Sequence, residues 1–413
     1  MSTLLDGDGR LRLSSEPPVL RLLAAGDLCP INRLEAPLAA GNVRAVFGDC
    51  LPLFSAADLA VINLEAPLCR AQSPISKCGP NFRADPAVAG ALKRAGVGLC
   101  CLANNHIMDQ GPAGLQETLA ALDAAGLQRL GAGRSEQEAA QPLGLDLAGR
   151  RLALLDFAEG ESSRATGGPG AAGLDELANR RAVSEAAARA DWTMVFLHAG
   201  SEQLPFPSPL MQQRCRGFID AGAAAVLAHH PHVPQGLELW RGRPIAYSLG
   251  NFLFDWPEPE PETDSAFLLE VALAPGAVAG LAVHPFRKSA SGGAELLSGA
   301  ERAAYLALLQ DLSAPLGNPA RMAALWDEQC RMLWASRYRP RLARFAEIDS
   351  PDPGTRQSAR HSIYNLLQCE AHREGLARAL ELLAAGRMAC DRAAREEIDG
   401  LMTRLKAFSR PAS

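Results

Sequence analysis

From Val19 to about Phe286, short apolar runs alternate with alanine-rich stretches of helical period. Strand and helix taken in turn predict an α/β or layered mixed-sheet architecture. The apolar runs are 19–25, 59–62, 97–102, 193–197, 223–227 and 245–249. Residues 86–95 and 112–125 read as helices, because Pro86 and Pro112 suit a first turn and Gly96 and Gly126 suit a left-handed stop. Helices are also expected over 174–190 and over 208–221, the latter closed by Gly222. Residues 160–173 (GESSRATGGPGAAG) read as a flexible loop, and the Pro/Glu segment 256–263 cannot be a central strand. Beyond Leu296 the pattern turns helical, including 371–385, closed by Gly386, and 391–408. Two units are therefore expected: 19–290, layered, and 296–413, helical, with the boundary near 290–299.

Charge follows the same division. Residues 296–413 hold 17 basic and 14 acidic residues, about +3, against 24 and 32, about −8, for the rest. A net charge of −5 makes non-specific coating of nucleic acid a poor expectation, and no nucleic-acid partner is read. No run of about eighteen apolar residues suggests a bilayer span. Residues 1–18 lack the apolar core and cleavage site of a secretory signal. The ten cysteines are scattered without CxxC spacing, which reads as reduced, mostly buried thiols, and the expected compartment is the cytoplasm.

The ends of the apolar runs carry the chemistry. LRLLAAGD ends in Asp27, and DLAVINLE in Asn63 and Glu65. VGLCCLANNH ends in Asn104, Asn105 and His106, and TMVFLHAGSE in His198 and Glu202. AAAVLAHHPH ends in His229, His230 and His232, and RPIAYSLGNF in Asn251. Five of the eight histidines fall at these ends, and in open α/β sheets the carboxyl edge is where ligands bind. Taken singly, Asp27 reads as a cap or turn former, Glu65 can be a loop charge, Asn104 and Asn105 can be turn formers, and His198 reads as a core histidine. Three histidines in four residues have little structural purpose, and in a strand-like HPH segment His230 and His232 project the same way. Jointly, the six run ends assemble a cluster of oxygen and nitrogen donors of the kind a divalent metal pair takes.

The motifs GDLCP (26–30), VINLEAPL (61–68), ANNHIMDQG (103–111), HAGSE (198–202), AHHPHVPQG (228–236) and YSLGNFLFD (247–255) together resemble the CapA family of capsule or poly-γ-glutamate biosynthesis proteins. The resemblance covers roughly 19–286 and implies a calcineurin-like metallophosphatase-type fold, its sheets flanked by helices, with the helical region added at the C-terminus. It implies Asp27 on one metal, Glu65 bridging, Asn105 and His198 as further ligands, and His230 and His232 one to each metal. It further implies two divalent ions (Mn, Fe or Zn), His106 as a proton donor oriented by Asp109, and Asn63, Asn104, Glu202, His229 and Asn251 as supporting or substrate-contacting residues. This chain departs from the wider pattern at Cys29, where a histidine is usual and where a thiolate ligand and a small buried hydrophobe are the two readings. It departs also at Glu65, where Asp is usual, and at Ala228 and His229, the latter standing where Gly is preferred.

The implied activity is hydrolysis of a phosphate ester or γ-glutamyl amide by a hydroxide shared between the metals, on an anionic small molecule or polymer. The alternative is a non-catalytic assembly or polymer-binding component on a degenerate scaffold. The arginine-rich stretch 334–344 (WASRYRPRLAR) reads as a solvated helix face or as a contact for an acidic polymer. GAGRSEQEA (131–139) reads as a helix entry capped by Ser135 with Glu138 three residues on, not a phosphate loop. The oligomeric state is left open.

Overall fold

The computed structural model describes residues 4–256 and 264–409. The expected apolar runs become the strands Leu20–Cys29, Leu59–Leu64, Val97–Cys101, Trp192–His198 and Ala225–His229, most of which run past the apolar stretch at their carboxyl end. The run 245–249 divides instead. Its start belongs to the strand Arg243–Ala246 of one sheet, and after Gly250 the chain enters the other sheet as Asn251–Phe254. A further strand, Arg150–Ala158, and the hairpin Ser265–Ala274 with Ala277–Lys288 complete the main framework.

Among the described residues, a nine-stranded and a six-stranded sheet carry the architecture. Leu20–Cys29 lies centrally in the larger sheet, parallel to Leu59–Leu64 and, at its far end, to Asn251–Phe254. The register sets Asp27 beside both Asn63 and Asn251. In the smaller sheet Trp192–His198 runs parallel to Arg150–Ala158 and Ala225–His229, aligning His198 with Ala158 and His229. Leu22, Ala24, Val61 and Leu99 of the larger sheet share one buried cluster with Leu154, Met194, Phe196 and Leu227 of the smaller. Alternate residues of the larger sheet, including Leu23, Ala25, Ile62 and Cys100, pack with Phe47, Leu92, Leu115 and Leu119 of the covering helices. Two sheets flanked by helices are the layered arrangement the resemblance implies.

Local chemistry explains where the helices begin. Ser208 accepts a hydrogen bond from Met211 N ahead of Pro209–Asp220, and Asp391 accepts one from Ala394 N ahead of Arg392–Lys406. Ser135 likewise accepts from Glu138 N, starting the short helix Glu136–Ala139 as its sequence suggests. The other expected helices lie at Val88–Arg94, Gly111–Ala124, Glu176–Ala187 and Glu370–Ala384. The loop 160–173 contains the short strand Gly170–Ala171, paired with Ala132–Gly133. Of the Pro/Glu segment, 257–263 lie outside the described residues, while Trp256 stacks on Phe254 with ring centroids 4.4 Å apart.

Near the expected boundary, Ala294–Leu296 still pairs with Ala277–Lys288, and Leu297 is buried in the main core. Helix Gly299–Ser313 buries Tyr305, Leu309 and Leu312 there, and Arg392–Lys406 adds Ile398, Leu401 and Leu405. The remaining C-terminal helices form a second cluster around Trp326, Tyr338, Leu366 and Leu382, which Leu204 of the sheet region joins. All ten cysteines are free thiols and eight are buried. No helix of the described residues is long and apolar enough to cross a membrane.

Candidate metal centre

The site lies where the strands of both sheets end. Gly26 permits a close crossing: a Cβ built there would stand 1.7 Å from the Gly250 carbonyl oxygen, which accepts the Asp27 N–H at 3.1 Å. Strand Asn251–Phe254 therefore approaches near enough to bring Asn251 into the site. The HPH segment is not extended. The strand ends at His229, and His230 (φ 97°) and His232 (φ 59°) both take left-handed backbone conformations. Such conformations cost about 1–3 kcal/mol each and collect at functional sites. The bend turns His230 N toward Asp27, donating to Oδ2 at 3.1 Å.

Two donor sets share Glu65. On one side, His232 Nδ1 lies 3.5 Å from Asp27 Oδ2, and His232 Nε2 lies 3.9 Å from Glu65 Oε1. On the other, His198 Nε2 lies 3.1 Å from Asn105 Oδ1, 3.4 Å from Glu65 Oε1 and 3.0 Å from His230 Nδ1. Ligand atoms of Asp27, Glu65 and His232, and those of Glu65, His198 and His230, all fall within 4.8 Å of one another. Both Glu65 carboxylate oxygens are buried without a hydrogen-bond partner. A buried carboxylate leaves water at large cost unless a charge meets it. Burial and the Asp27 charge push the Glu65 carboxyl up to about 8. Burial would also raise Asp27, yet the His232 hydrogen bond and the His229 and His198 charges hold it far below the carboxylate range. Burial takes His198 down to about 4, leaving a neutral ring with a lone pair. Burial lowers His230 likewise. Burial would also lower His232, yet the Glu65 and Asp27 carboxylates outweigh it and hold the ring up at about 10, so an ion there would displace its proton. Neutral His198 and His230 rings, an amide oxygen and an unpartnered carboxylate are a donor set that fits a borderline divalent ion.

Amides hold the donors in place. Asn63 Nδ2 donates to Asp27 Oδ1 at 2.7 Å, and Asn104 Nδ2 donates to Asn63 Oδ1 at 3.1 Å. Asn104 Oδ1 in turn accepts the His106 N–H. Asn251 Oδ1 lies 2.9 Å from His232 Nδ1. His106 Nδ1 lies 2.7 Å from Asp109 Oδ2; a carboxylate only accepts, so Nδ1 carries the proton and Nε2 remains for other chemistry. The buried Lys77 ammonium contacts Asp109 and lies 3.2 Å from His106 Nδ1. Burial, then Lys77, lowers the His106 pKa. His229 does not join either donor set; its ring stacks on Phe196 at 6.3 Å and its Nε2 is buried without a partner. Cys29 is buried among Ile31, Ala66, Phe82 and Phe254 and joins neither donor set, and burial and the Glu65 charge push its thiol well up.

The family described as bacterial capsule synthesis protein PGA_cap matches residues 21–256. The chain belongs to this family. The capsule biosynthesis protein CapA of Bacillus anthracis is 29% identical over 246 residues, covering 57% of this chain and 60% of its own. The PGA biosynthesis protein CapA of Bacillus subtilis is 30% identical over 247 residues, covering 57% and 64%. A protein of Mycobacterium tuberculosis (strain H37Rv) named a probable polyglutamine synthesis accessory protein is 30% identical over 229 residues, covering 52% and 60%. The chain thus spans under two thirds of these relatives' lengths. Among solved structures, the 5′-nucleotidase of Candida albicans is similar over 74% of this chain and 57% of that one, with 8% identity and a TM-score of 0.41.

Every candidate residue from Asp27 to Asn251 falls inside the family match. Three neighbours of the site escaped the sequence reading, and a fourth, Arg337, lay in the arginine-rich stretch 334–344 without a link to the site. Glu159 Oε1 lies 3.3 Å from His230 Nε2, and Asp156 accepts the N–H groups of Leu102 and Ala103 behind the Asn104–His106 segment. Both sit at the end of an apolar run, 150–158, that carries the same signal as the other six. Lys77 comes from a loop, and Arg337, paired with Glu202 at 3.1 Å, comes from the C-terminal helices. No local pattern marks Lys77, and the arginine-rich pattern around Arg337 does not say that it meets Glu202.

Proposed function

We propose that this chain is a metal-dependent hydrolase of the capsule synthesis family, acting on a phosphate ester or a γ-glutamyl amide with two divalent ions, Mn, Fe or Zn. The unpartnered Glu65 carboxylate between two donor sets carries this reading. Asp27, Glu65 and His232 would hold one ion, and Glu65, Asn105, His198 and His230 the other. When bound, the pair supplies Lewis-acid charge and lowers the pKa of water toward neutrality. This chain's residues do the rest. Asn63, Asn104 and Asn251 orient the ligands, and the buried left-handed histidine bend keeps the donors preorganised. Asp109 fixes the His106 ring, leaving Nε2 to pass a proton to the leaving oxygen or nitrogen. Lys77 pairs with the Asp109 carboxylate beside it.

Protein purified without chelator is expected to carry about two ions per chain. Asp27→Ala and His230→Ala are expected to lose metal, whereas His106→Ala keeps it and loses 10²–10⁴-fold in turnover, as removal of a general acid does. Elemental analysis and a panel of chromogenic phosphoesters and γ-glutamyl anilides measure both. A His106→Ala protein as active as wild type defeats the assigned role. The second reading, an assembly or polymer-binding component, draws on the protonated Cys29 in place of a usual histidine donor. Metal-free wild-type protein would favour it.

A further inference from the structure

The C-terminal helices lie outside the family match, yet they reach the candidate centre. Helix Pro319–Leu333 runs into a π-helical turn, Trp334–Tyr338, and this turn presents Arg337 to Glu202, Nη2 to Oε2 at 3.1 Å. Single π turns are rare and concentrate at functional sites. Glu202 belongs to a third donor group, with ligand atoms of His230 and His232 within 4.8 Å. Arg337 is thus one residue removed from the candidate metal ligands.

Its guanidinium is only half used. Nη2 faces Glu202, whereas Nη1 is buried without a hydrogen-bond partner. His372, in the first turn of helix Glu370–Ala384, is 7% exposed, and its Nδ1 is also buried without a partner. Burial and then the Arg337 charge lower the pKa of this ring to about 3, and the Glu202 charge opposes them only in part. Two buried polar atoms, Arg337 Nη1 and His372 Nδ1, therefore stand without a partner near the centre. Leaving a buried polar atom unsatisfied is costly, and a forked guanidinium suits an oxyanion.

We propose that Arg337 and His372 form an anion subsite flanking the metal centre, which receives a phosphoryl or carboxylate oxyanion of the substrate, so that the C-terminal helices contribute to specificity. The proposal rests on the hydrolase reading for its reacting centre. If Arg337 served only to tie the helices to Glu202, its loss would lower stability and leave anion affinity unchanged.

Calorimetric titration of the full chain with inorganic phosphate and with L-glutamate, in chelated and metal-loaded protein, separates these outcomes. Arg337→Gln is expected to weaken at least one probe tenfold or more in both forms, with Arg337→Lys intermediate because the fork is lost. Loss for phosphate alone identifies a phosphoryl group, and loss for glutamate alone a carboxylate. Wild-type affinity for both probes in folded Arg337→Lys and His372→Asn proteins overturns the subsite, as does chelated wild type that binds neither probe. Metal content reports separately on the hydrolase reading: metal-free wild type that still binds anions through Arg337 defeats that reading and keeps the subsite.

Discussion

Asp27 owes its position to the residue before it. With no side chain at Gly26, the Gly250 carbonyl approaches and strand Asn251–Phe254 runs alongside. A methyl group there would stand 1.7 Å from a backbone oxygen, which cannot swing away as a flexible side chain can. Gly26→Ala is expected to cost about 3 kcal/mol or more and to lower metal retention, because Asp27 and Asn251 both shift. Urea unfolding and elemental analysis of the variant test this; unchanged metal content would separate the crossing from the site. The residue types at the centre were readable in the chain, since an apolar run that stops at Asp, Asn or His is unusual six times over. Their conformations were not. His230 and His232 converge through left-handed backbone rather than through strand alternation, because the Asp27 carboxylate captures the His230 N–H.

At the scale of elements, the far end of Asn251–Phe254 is tied to the start of the next segment after Leu20–Cys29. Arg33 donates from Nε and Nη2 to Asp255, whose Oδ2 also accepts the Arg33 backbone N–H at 3.0 Å. Burial pushes the Asp255 carboxyl up, but the Arg33 hydrogen bonds outweigh it and hold the group below its usual range. The folded chain thus binds this proton more weakly than the unfolded one. The contribution is complete above the ordinary carboxylate range and is lost as pH falls through it. With Arg33 half exposed, Asp255→Asn is expected to cost about 1–2 kcal/mol at pH 7. Denaturant unfolding at pH 7 and at pH 3 checks the sign: the gap between variant and wild type should shrink at the lower pH. Strand and helix positions followed from period and glycine stops, as over 208–221, and the structure adds the caps at Ser208 and Asp391. The run 245–249 misled because its apolar character continues across a change of sheet, and apolar content does not say which sheet a residue enters.

For the whole molecule, the C-terminal helices share the core of the sheets. Leu309 is 1% exposed in the cluster that also holds Leu281 and Val283 of the strand Ala277–Lys288. Leu309→Ala is expected to cost about 2–5 kcal/mol and to speed amide hydrogen exchange along that strand. Unchanged exchange in the strand would mean that the helices fold as an independent unit.

The chain by itself determined its alternation of elements, its carboxyl-edge donors and its membership of a family, because period, caps and motif spacing act over a few residues. Only the tertiary structure decided that Glu65 is left without a partner between two donor sets, that Lys77 stands behind His106, and that Arg337 faces Glu202. Those contacts join residues far apart in the chain, and a pairing across such a distance leaves no local periodicity to read.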